Sequence, residues 1–357
     1  MRTAFLFLAL LSSPLLQAQL EFEFGGLTRT YYMDAPDPIP EGAPLVFVLH
    51  GYGSSAATIR TYSGWGELAI DEGFVAVFPQ GTQDNFNVPH WNANLGLSTT
   101  NDHGFLAALA EHLQEQHNLS AECTFSCGMS NGGFMSYSLA CVRLDVFAAI
   151  GSVTGAMSTA DFGCTPSEVI PIIHLHGTDD NVVSYEDGTG GSWGTESVPE
   201  IIEHWTGLMG TTVLEESVLP NQELLDQTTV DFLRYSGAPA GQEFHHYRVN
   251  GGGHDWFGTW GSQDVDATTV MWEFFKSTCN GEFTDVAIHV QEAGIIERNG
   301  NGIQAQVPCT VEVLIVLGQV LVRVHLMKGD IWMPSAKDLH LFRAADDQGR
   351  RQLLRIR

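Results

Sequence analysis

A serine flanked by glycines is the residue of this sequence best suited to act as a nucleophile. Ser130 lies at the centre of Gly128–Gly132, after β-forming and small residues at 124–127 and before an apolar pattern of helical spacing at 134–142. A glycine two positions before and two after the serine lets a strand and a helix approach closely, so the serine projects from a tight turn. We therefore predict a catalytic nucleophile at Ser130; the alternative is an ordinary glycine-rich turn.

The same Gly-x-Ser-x-Gly pattern occurs a second time, around Ser192. No strand-like segment precedes this second serine, and it lies in a glycine-rich run that begins at Gly188. The context therefore favours a loop at Ser192 and a nucleophile at Ser130.

A histidine that follows three consecutive glycines is the candidate general base. His254 comes after the strand-like segment 243–249 and before a predicted helix over 264–276. A glycine loop at this point could carry the imidazole over the end of a sheet, where it would take the proton of the serine. His245 and His246 lie within the strand, and we interpret them as packing or surface groups.

Two adjacent acids, Asp179 and Asp180, follow the apolar segment 170–175 within a few residues. In α/β proteins functional groups gather at the carboxyl ends of the strands, so either carboxylate could orient the imidazole of His254. The order of serine, acid and histidine along the chain is that of the α/β-hydrolase fold.

The segment 44–49 is continuously apolar, which is typical of a central parallel strand buried on both faces. It leads into a loop that contains Gly51 and Gly53. The N–H groups of such a loop can point inward and stabilise a negatively charged oxygen, as an oxyanion hole requires. A simple turn at the exit of the strand is the alternative.

Strands and helices alternate through the first 279 residues. Alternation of this kind predicts an α/β fold with a mostly parallel central sheet, and we expect one catalytic domain over residues 19–279. Besides the segments above, we predict strands at 27–33, 74–78, 146–150 and 230–235 and helices at 55–72, 101–117 and 198–209.

Aromatic residues lie in the segments between these elements. Trp91 and Asn92 belong to an aromatic and polar cluster that either lines a pocket or closes an edge of the core. Trp193, Trp256 and Trp260 could flank a cleft for aromatic acyl groups or sugar rings, although each is as readily a packing residue. The sequence leaves these alternatives open.

The formal net charge of −26 is distributed unevenly. Residues 1–279 contain 7 Lys and Arg against 33 Asp and Glu, whereas residues 280–357 contain 9 of each. This change in charge near residue 280 predicts a domain boundary, with a small separate domain over 280–357. So acidic a body repels phosphate backbones, which argues against a nucleic-acid partner, and we interpret the charge as an aid to solubility.

The first 18 residues have the pattern of a secretory signal. Arg2 precedes an apolar run at 4–11, and small residues end the segment near Ala18. The run is too short to span a membrane and is broken by the Ser-Ser-Pro segment at 12–14. We predict a cleaved signal peptide over 1–18 and therefore export.

Export would permit disulfide bonds among the six cysteines, although their number alone does not fix the pairing. We expect Cys141 to pair with Cys164. Cys127 lies in the presumed buried strand, where a free core thiol is equally consistent with the sequence. No Cys-x-x-Cys or His-x-x-x-His spacing occurs, so we predict neither a metal site nor a cofactor.

Taken together, these segments resemble the secreted esterases grouped with polyhydroxybutyrate depolymerases and feruloyl or acetylxylan esterases. The resemblance covers residues 26–279 and is specific because several motifs occur in the family's order. The segments that carry it are Leu49–Gly51, Gly128–Gly133, Leu139–Cys141, His176–Asp180 and Gly251–His254.

The resemblance implies roles for particular residues. By position in the family's His-Gly-Thr-x-Asp motif, the acid of a Ser130, Asp180 and His254 triad is Asp180 rather than Asp179. Two other positions, Tyr52 and Asn131, fall where the family supplies the backbone N–H groups of the oxyanion hole.

The resemblance also bears on substrate binding. Trp91 and Asn92 match a recurrent pair of the family, which favours a pocket role for them, and we predict Trp256 as a further substrate-binding residue. Phe257 stands where many relatives have a proline, so we expect the rim of the site to differ from theirs.

The end of the chain reads as short strands with turns between them, at 311–318, 321–326 and 339–343. This part resembles a C-terminal sorting domain of the type IX secretion pathway, although Asp338 stands where the usual glycine is expected. The alternative is a small polymer-binding β domain with Trp332 as its stacking residue.

These features predict an extracellular or cell-surface serine carboxylesterase that works through an acyl-enzyme and needs no cofactor. Its ester substrate would be a polyester or an acyl-decorated plant polysaccharide, and the end of the chain could engage secretion machinery. One alternative is an acyltransferase with the same triad. Another is a non-catalytic polymer-binding protein on a hydrolase scaffold. The sequence does not predict an oligomeric state.

Overall fold

The computed structural model describes residues 19–187 and 194–279, together with the backbone of seven strands between residues 296 and 356. The predicted signal at 1–18 lies outside the described residues, as do Ser192 and Trp193. Within the described part of the chain, no helix is both long enough and apolar enough to cross a bilayer.

Strands and helices alternate through the described ranges before residue 280. The strands are β1 (Leu20–Phe24), β2 (Leu27–Asp34), β3 (Leu45–Leu49), β4 (Val75–Pro79), β5 (Thr82–Gln83), β6 (Pro89–His90), β7 (Thr124–Met129), β8 (Ala149–Val153), β9 (Ile172–Gly177), β10 (Val213–Val218), β11 (Thr229–Ser236) and β12 (Phe244–Asn250). The helices are α1 (Ala56–Tyr62), α2 (Trp65–Glu72), α3 (Asp102–His117), α4 (Asn131–Val142), α5 (Val198–Met209) and α6 (Ala267–Thr278).

Ten of these strands form one mixed sheet in the order β1-β2-β4-β3-β7-β8-β9-β12-β11-β10. The strands from β4 to β12 in this order are parallel to their neighbours, and antiparallel pairs lie outside them on both sides. The prediction of a mostly parallel sheet is therefore right for the centre, whereas the whole sheet is mixed. The carboxyl ends of β3, β7, β9 and β12 lie at the same edge, and the candidate site residues follow them.

The sheet carries a hydrophobic core on each face because its central strands are apolar at successive positions. In β3, Leu45, Phe47 and Leu49 belong to one core, and Val46 and Val48 belong to the other. Helices α3, α4 and α5 cover the first face, and helices α1, α2 and α6 cover the second. The apolar run at 44–49 is thus the buried central strand that its pattern predicts.

The predicted helix over 55–72 is wrong in one respect, because the structure has two helices there, α1 and α2. The chain turns at Gly64, which precedes α2 with a φ of 74°. Residues with a side chain rarely adopt this left-handed conformation, whereas glycine does so readily. A glycine inside an apolar pattern of helical spacing therefore marks the break.

The strand predicted at 146–150 begins later, at Ala149. Val146 and Phe147 instead donate backbone hydrogen bonds to the carbonyl of Arg143, in the turn that follows α4. Their side chains are buried although their backbone is not in the sheet, and that burial explains why they resemble a strand in sequence.

Two disulfides join the described elements. Cys141 pairs with Cys164, as predicted, and Cys123 pairs with Cys279, which the sequence did not indicate. Among the described residues, Cys127 is a free and buried cysteine. Burial raises the pKa of its thiol well above the ordinary value, so it is a core residue rather than a reactive thiolate.

Strands after residue 279 pair into two further sheets, β13-β14-β17 and β16-β15-β18-β19. The strands predicted at 311–318, 321–326 and 339–343 correspond to β15, β16 and β18. A separate β domain over 280–357, its sorting role and a stacking role for Trp332 stay predictions. The strands are β13 (Ile296–Asn299), β14 (Gly302–Ala305), β15 (Cys309–Leu314), β16 (Val320–Leu326), β17 (Ile331–Trp332), β18 (His340–Asp346) and β19 (Arg351–Ile356).

Candidate active site

Ser130 occupies the turn between β7 and α4. Its backbone has φ 52° and ψ −119°, a left-handed conformation that is rarely found for a residue other than glycine. Its N–H group donates a hydrogen bond of 2.9 Å to the carbonyl of Val153, at the end of the neighbouring strand β8. Strain of this kind persists only where the surroundings fix the residue, and it is found at functional sites.

The glycines around Ser130 are required by the packing of the turn. A Cβ atom at Gly128 would lie 2.6 Å from the carbonyl oxygen of Leu49, and one at Gly132 would overlap the same carbonyl group. Both glycines therefore allow β7 and α4 to press against the end of β3. This close approach positions the serine directly beside the loop that follows β3.

The loop after β3 lies against the candidate nucleophile. A Cβ atom at Gly51 would be 3.5 Å from the Cβ of Ser130. The neighbouring residue Tyr52 donates from its hydroxyl to the carboxylate of Asp84, at 2.7 Å, which ties the loop to the segment after β5. The backbone of residues 51 and 52 is thus held beside the serine, where the sequence predicts an oxyanion hole.

His50 anchors this loop as a neutral imidazole. Its Nδ1–H donates to the carbonyl of Gly51 at 2.8 Å, and its Nε2 accepts from the N–H of Gly81 at 3.0 Å. Burial lowers the pKa of His50 to about 4, against the opposing effect of the Gly51 hydrogen bond. The imidazole therefore acts as a fixed support and not as a base at neutral pH.

Asn131, the first residue of α4, is fixed by the loop that contains Trp91. The side-chain oxygen of Asn131 accepts from the N–H of Trp91 at 2.6 Å, and its amide nitrogen donates to the carbonyl of Trp91 at 3.1 Å. The side chain is therefore occupied by a structural clamp. Its backbone N–H lies in the first turn of a helix, where N–H groups lack partners within the helix and favour negative charge.

Asp180 and His254 form the hydrogen bond expected of an acid and a base. Nδ1 of His254 lies 2.7 Å from Oδ2 of Asp180, and the imidazole is 17% exposed. The other carboxylate oxygen, Oδ1, accepts from the N–H groups of Val182 and Val183 at 2.8 and 2.9 Å. The carboxylate is thus bound to donors at both oxygens.

These donors determine the charge of Asp180. Burial alone would raise the pKa of its carboxyl group, but hydrogen bonds from His176 and His254 outweigh burial and hold the pKa well below the usual range. Asp180 is consequently an anion at neutral pH. The adjacent acid Asp179 is exposed and forms no described contact with His254, so the structure brings Asp180 and not Asp179 to the imidazole.

The loop that carries His254 is joined to the loop after β9 by backbone contacts. The N–H of Asp179 donates to the carbonyl of Gly252, and the N–H of Gly251 donates to the hydroxyl of Thr178, both at 2.9 Å. A Cβ atom at Gly177 would overlap the carbonyl of Gly252. Glycine at these positions lets the two loops meet, which sets Asp180 beneath the imidazole.

One aromatic residue, Tyr62, contacts the residue before Ser130 and packs near a residue that follows His254. The hydroxyl of Tyr62 lies 3.3 Å from Sδ of Met129, the residue before the serine, and its ring centroid lies 5.8 Å from that of Trp256, two residues after the histidine. Within the described residues, Ser130 Oγ and His254 do not hydrogen-bond. In enzymes without substrate this bond is often long and forms when the substrate binds.

The three predicted substrate-binding residues are found in packed positions. Trp91 and Trp256 are 0% and 1% exposed, and the Trp256 ring nitrogen donates to Thr268 at 3.0 Å. The side chain of Asn92 donates to the carbonyl of Thr100 at 2.7 Å. In this conformation they stabilise the loops around the site, and substrate contact by them stays a prediction.

The sequence reasoning missed polar side chains that support the candidate triad from within the core. His176 lies 3.3 Å from Oδ2 of Asp180, and Tyr137 and His174 are bonded in series behind it. A signal was available, because His174 and His176 alternate within an apolar strand, and buried histidines require partners. Within the described ranges no group of three or more His, Cys, Asp and Glu residues has the geometry of a metal site.

Comparison with known proteins gives a consistent set of similarities. A family model described as "Esterase PHB depolymerase" matches residues 29–239. The chain is 32% identical over 158 residues to a poly(3-hydroxybutyrate) depolymerase of Ralstonia pickettii, covering 40% of this chain and 32% of that protein. It is 29% identical over 171 residues to a probable feruloyl esterase C of Aspergillus niger, covering 45% of this chain and 58% of that protein.

The fold is also similar to that of a solved structure. An acetyl xylan esterase from Aspergillus awamori aligns with a TM-score of 0.50 and 15% identity, over 66% of this chain and 94% of that one. The similarity at this identity concerns the architecture, in which a large sheet with parallel central strands carries loops at its carboxyl edge.

Proposed function

The chain belongs to the esterase PHB depolymerase family, and we therefore propose that it is a serine hydrolase of carboxylic esters. The observation that carries the proposal is the 2.7 Å hydrogen bond between Asp180 and His254, at the sheet edge where the strained Ser130 also lies. A buried acid, a partly exposed imidazole and a serine on a tight turn are the groups that acyl transfer needs.

The proposed mechanism assigns one step to each side chain. Because Nδ1–H of His254 donates to Asp180, Nε2 holds the lone pair that takes the proton of Ser130 as Oγ attacks the ester carbonyl. His254 then returns the proton to the leaving alcohol, which leaves an acyl-enzyme. Water then attacks the acyl group while His254 takes its proton. His254 passes this proton to Oγ of Ser130, which releases the acid and the free serine.

The negative charge of the tetrahedral intermediate would be stabilised by backbone N–H groups of Tyr52 and Asn131. The loop of Tyr52 lies beside Ser130, and Asn131 begins α4, whose first turn favours an anion. Both residues use their side chains elsewhere, on Asp84 and on the Trp91 loop respectively. Their proposed contribution is therefore made by the main chain.

Substrate class is proposed from the relatives. Those named above are a depolymerase of poly(3-hydroxybutyrate), a probable feruloyl esterase and an acetyl xylan esterase. We infer an ester borne on a polymer, either a polyester or an acylated plant polysaccharide. The predicted signal and the two disulfides support an extracellular location, and secretion through a type IX sorting domain is the route that the end of the chain suggests.

The test is hydrolysis by the purified protein of short-chain p-nitrophenyl esters, methyl ferulate, acetylated xylan and poly(3-hydroxybutyrate). If Ser130 is the nucleophile, Ser130→Ala should lower kcat by about 10⁶-fold on every ester that the wild-type protein hydrolyses. Ser192→Ala, which alters the second Gly-x-Ser-x-Gly segment, is the matched control and should keep wild-type rates. Wild-type turnover in folded Ser130→Ala protein would contradict the proposal.

A second arm distinguishes hydrolysis from acyl transfer. An added alcohol acceptor should leave the free acid as the main product if water is the natural nucleophile. A main product that is the ester of the acceptor would identify an acyltransferase with the same triad. Folded wild-type protein that hydrolyses none of these esters yet binds a polymer would favour the non-catalytic alternative.

A further inference from the structure

A series of hydrogen-bonded side chains lies in the core behind Asp180 and has no step in the proposed mechanism. Nε2 of His176 lies 3.3 Å from Oδ2 of Asp180 and 2.8 Å from the carbonyl oxygen of Val183. Nδ1 of His176 lies 3.0 Å from Nε2 of His174, whose Nδ1 lies 2.6 Å from the hydroxyl of Tyr137. All three side chains of the series are fully buried.

The direction of donation along the series follows from its end groups. The carbonyl of Val183 can only accept, so Nε2 of His176 carries a hydrogen, and in the neutral imidazole Nδ1 is then an acceptor. Nε2–H of His174 consequently donates to His176, and the hydroxyl of Tyr137 donates to Nδ1 of His174. Every donor therefore points towards Asp180.

The surroundings of His174 and Tyr137 agree with these directions of donation. Burial and the neighbouring histidines hold the pKa of His174 well below its ordinary value. Burial likewise raises the pKa of the Tyr137 hydroxyl, so it remains a donor. The titratable groups that face Asp180 from the elements packed against it are His176 on β9 and His254 after β12.

We propose that His176 is a positioning residue for the Asp180–His254 pair, and that His174 and Tyr137 fix His176 in the donating tautomer. The proposal rests on the proposed function, because it assigns a role within that catalytic site. The Nε2–H of His176 is shared between two acceptors, the carbonyl oxygen of Val183 and Oδ2 of Asp180. The N–H of the same Val183 donates to Oδ1 of Asp180. His176 therefore holds both the turn that cradles the carboxylate and the oxygen that faces His254.

Loss of the donor has a defined electrostatic consequence. With one hydrogen bond fewer, the carboxylate of Asp180 would present more uncompensated charge to His254 and would favour the imidazolium. The carboxyl group would also bind a proton more readily. At pH values where Asp180 remains an anion, the first change moves the loss of the free base to higher pH, so the pKa of His254 and the acidic limb of kcat/KM should rise together.

Two amide substitutions separate positioning from packing. In His176→Gln the side-chain amide nitrogen takes the position of the imidazole Nε2 and can still donate to Asp180 and Val183. In His176→Asn the amide nitrogen takes the position of Nδ1, which is too far from Asp180 and Val183 to donate to either. We expect the pKa of His254 and the acidic limb to rise by about one pH unit in the Asn variant, with kcat down about tenfold and KM little changed. The Gln variant should stay within a few tenths of a unit of wild type.

His246→Gln is the matched control, because His246 is also buried and bonded to a tyrosine. It contacts the hydroxyl of Tyr185 and the carbonyl of His174, and it does not touch Asp180. Its substitution should lower stability while leaving the acidic limb in place. Equal shifts in the His176→Asn and His246→Gln variants would assign both histidines to packing alone and overturn the proposal.

The pKa of His254 is measured by NMR of ¹⁵N-labelled imidazoles, which does not depend on turnover. If wild-type protein hydrolyses no ester, the proposed function fails, and the titration still decides whether His176 controls the pair. If wild type is active and the Asn variant titrates as wild type does, the positioning role fails alone. Should the Asn variant not fold, Tyr137→Phe, which removes the terminal donor, must move the pKa of His254 in the same direction or the proposal is wrong.

Discussion

Asp179 and Asp180 are neighbouring acids in opposite environments. Asp180 is 5% exposed, and its two oxygens accept hydrogen bonds from the backbone and from imidazoles. Asp179 is exposed, and its backbone N–H rather than its carboxylate binds the loop of His254. A buried carboxylate is tolerated only where donors surround it, so the hydrogen bonds around Asp180 indicate a fixed anion facing His254.

Asp180→Asn should abolish most activity without disturbing the fold. The amide oxygen can still accept from the backbone at residues 182 and 183, but the amide nitrogen would meet the Nδ1–H of His254 as a second donor. The imidazole would then shift its hydrogen to Nε2, which could no longer take the serine proton. We expect kcat to fall by about 10⁴-fold, as for the corresponding change in a serine protease, with little change in KM.

The control for this prediction is Asp179→Asn, which should keep nearly the wild-type kcat. Steady-state kinetics on a p-nitrophenyl ester measure both variants, with circular dichroism to verify folding. A loss of less than about tenfold in Asp180→Asn would remove Asp180 from the mechanism. Equal losses in the two variants would show that the loop, and not one carboxylate, is what matters.

The candidate site depends on how closely β3, β7 and α4 can approach one another. Gly132, at the start of α4, faces the carbonyl of Leu49 at the end of β3, with no room for a side chain. Gly51 similarly lies beside Ser130. The strained serine, the loop after β3 and the N-terminus of α4 are therefore one packing unit, in which a displacement of any element displaces the others.

Gly132→Ala should destabilise the protein by more than about 3 kcal/mol, because its methyl group would overlap a backbone carbonyl that cannot rotate away. Gly207→Ala is the matched control in the exposed part of α5, where a Cβ atom meets nothing within 4 Å. It should raise the free energy of unfolding by about 0.5–1 kcal/mol. Urea unfolding followed by tryptophan fluorescence measures both, and a Gly132→Ala protein of wild-type stability would contradict the packing described.

The extent to which sequence predicts these elements depends on how local the cause is. The strands β3 and β7 and the turn at Ser130 follow from neighbouring residues, so they could be placed in advance. The break at Gly64 was missed because the apolar pattern of helical spacing continues across it, although the glycine itself permits the left-handed φ. The start of β8 at Ala149 was missed because Val146 and Phe147 are buried in a turn, and burial alone resembles a strand.

Some residues of the candidate site could be predicted from their neighbours in sequence, and others could not. Ser130 and His254 each carry a local glycine signature, whereas the choice of Asp180 over Asp179 depends on which carboxylate is buried against His254. The support from His176 depends on a contact between a strand and the loop that follows it. Side-chain hydrogen bonds of this kind are set by tertiary packing, so spacing along the chain does not reveal them.

For the whole molecule, each of the two disulfides belongs to one face of the sheet. Cys141 and Cys164 pack against the core covered by α3, α4 and α5, and Cys123 and Cys279 belong to the core covered by α1, α2 and α6. The second bridge ties the start of β7 to the end of α6. It therefore cross-links the last helix of the α/β part, before the strands that begin at β13.

Removing the second bridge should cost more stability than removing the first. The two bridges close loops with sequence separations of 156 and 23 residues, and a longer loop loses more entropy when it is cross-linked in the unfolded chain. We expect the double alanine variants to lose about 5 kcal/mol for Cys123 and Cys279 and about 3 kcal/mol for Cys141 and Cys164. The free energy of unfolding in urea, measured without reductant, tests this order.

Cys127→Ala controls for the loss of buried sulfur, because Cys127 is buried in β7 without a disulfide. It should cost only about 1 kcal/mol, the effect of a small cavity. If the variant without the Cys123–Cys279 bridge lost no more than this control, the bridge would not constrain the unfolded chain. If removal of the Cys141–Cys164 bridge cost more stability than removal of the Cys123–Cys279 bridge, native-state packing rather than loop length would determine the contribution of each. The entropic effect alone is larger for the longer loop.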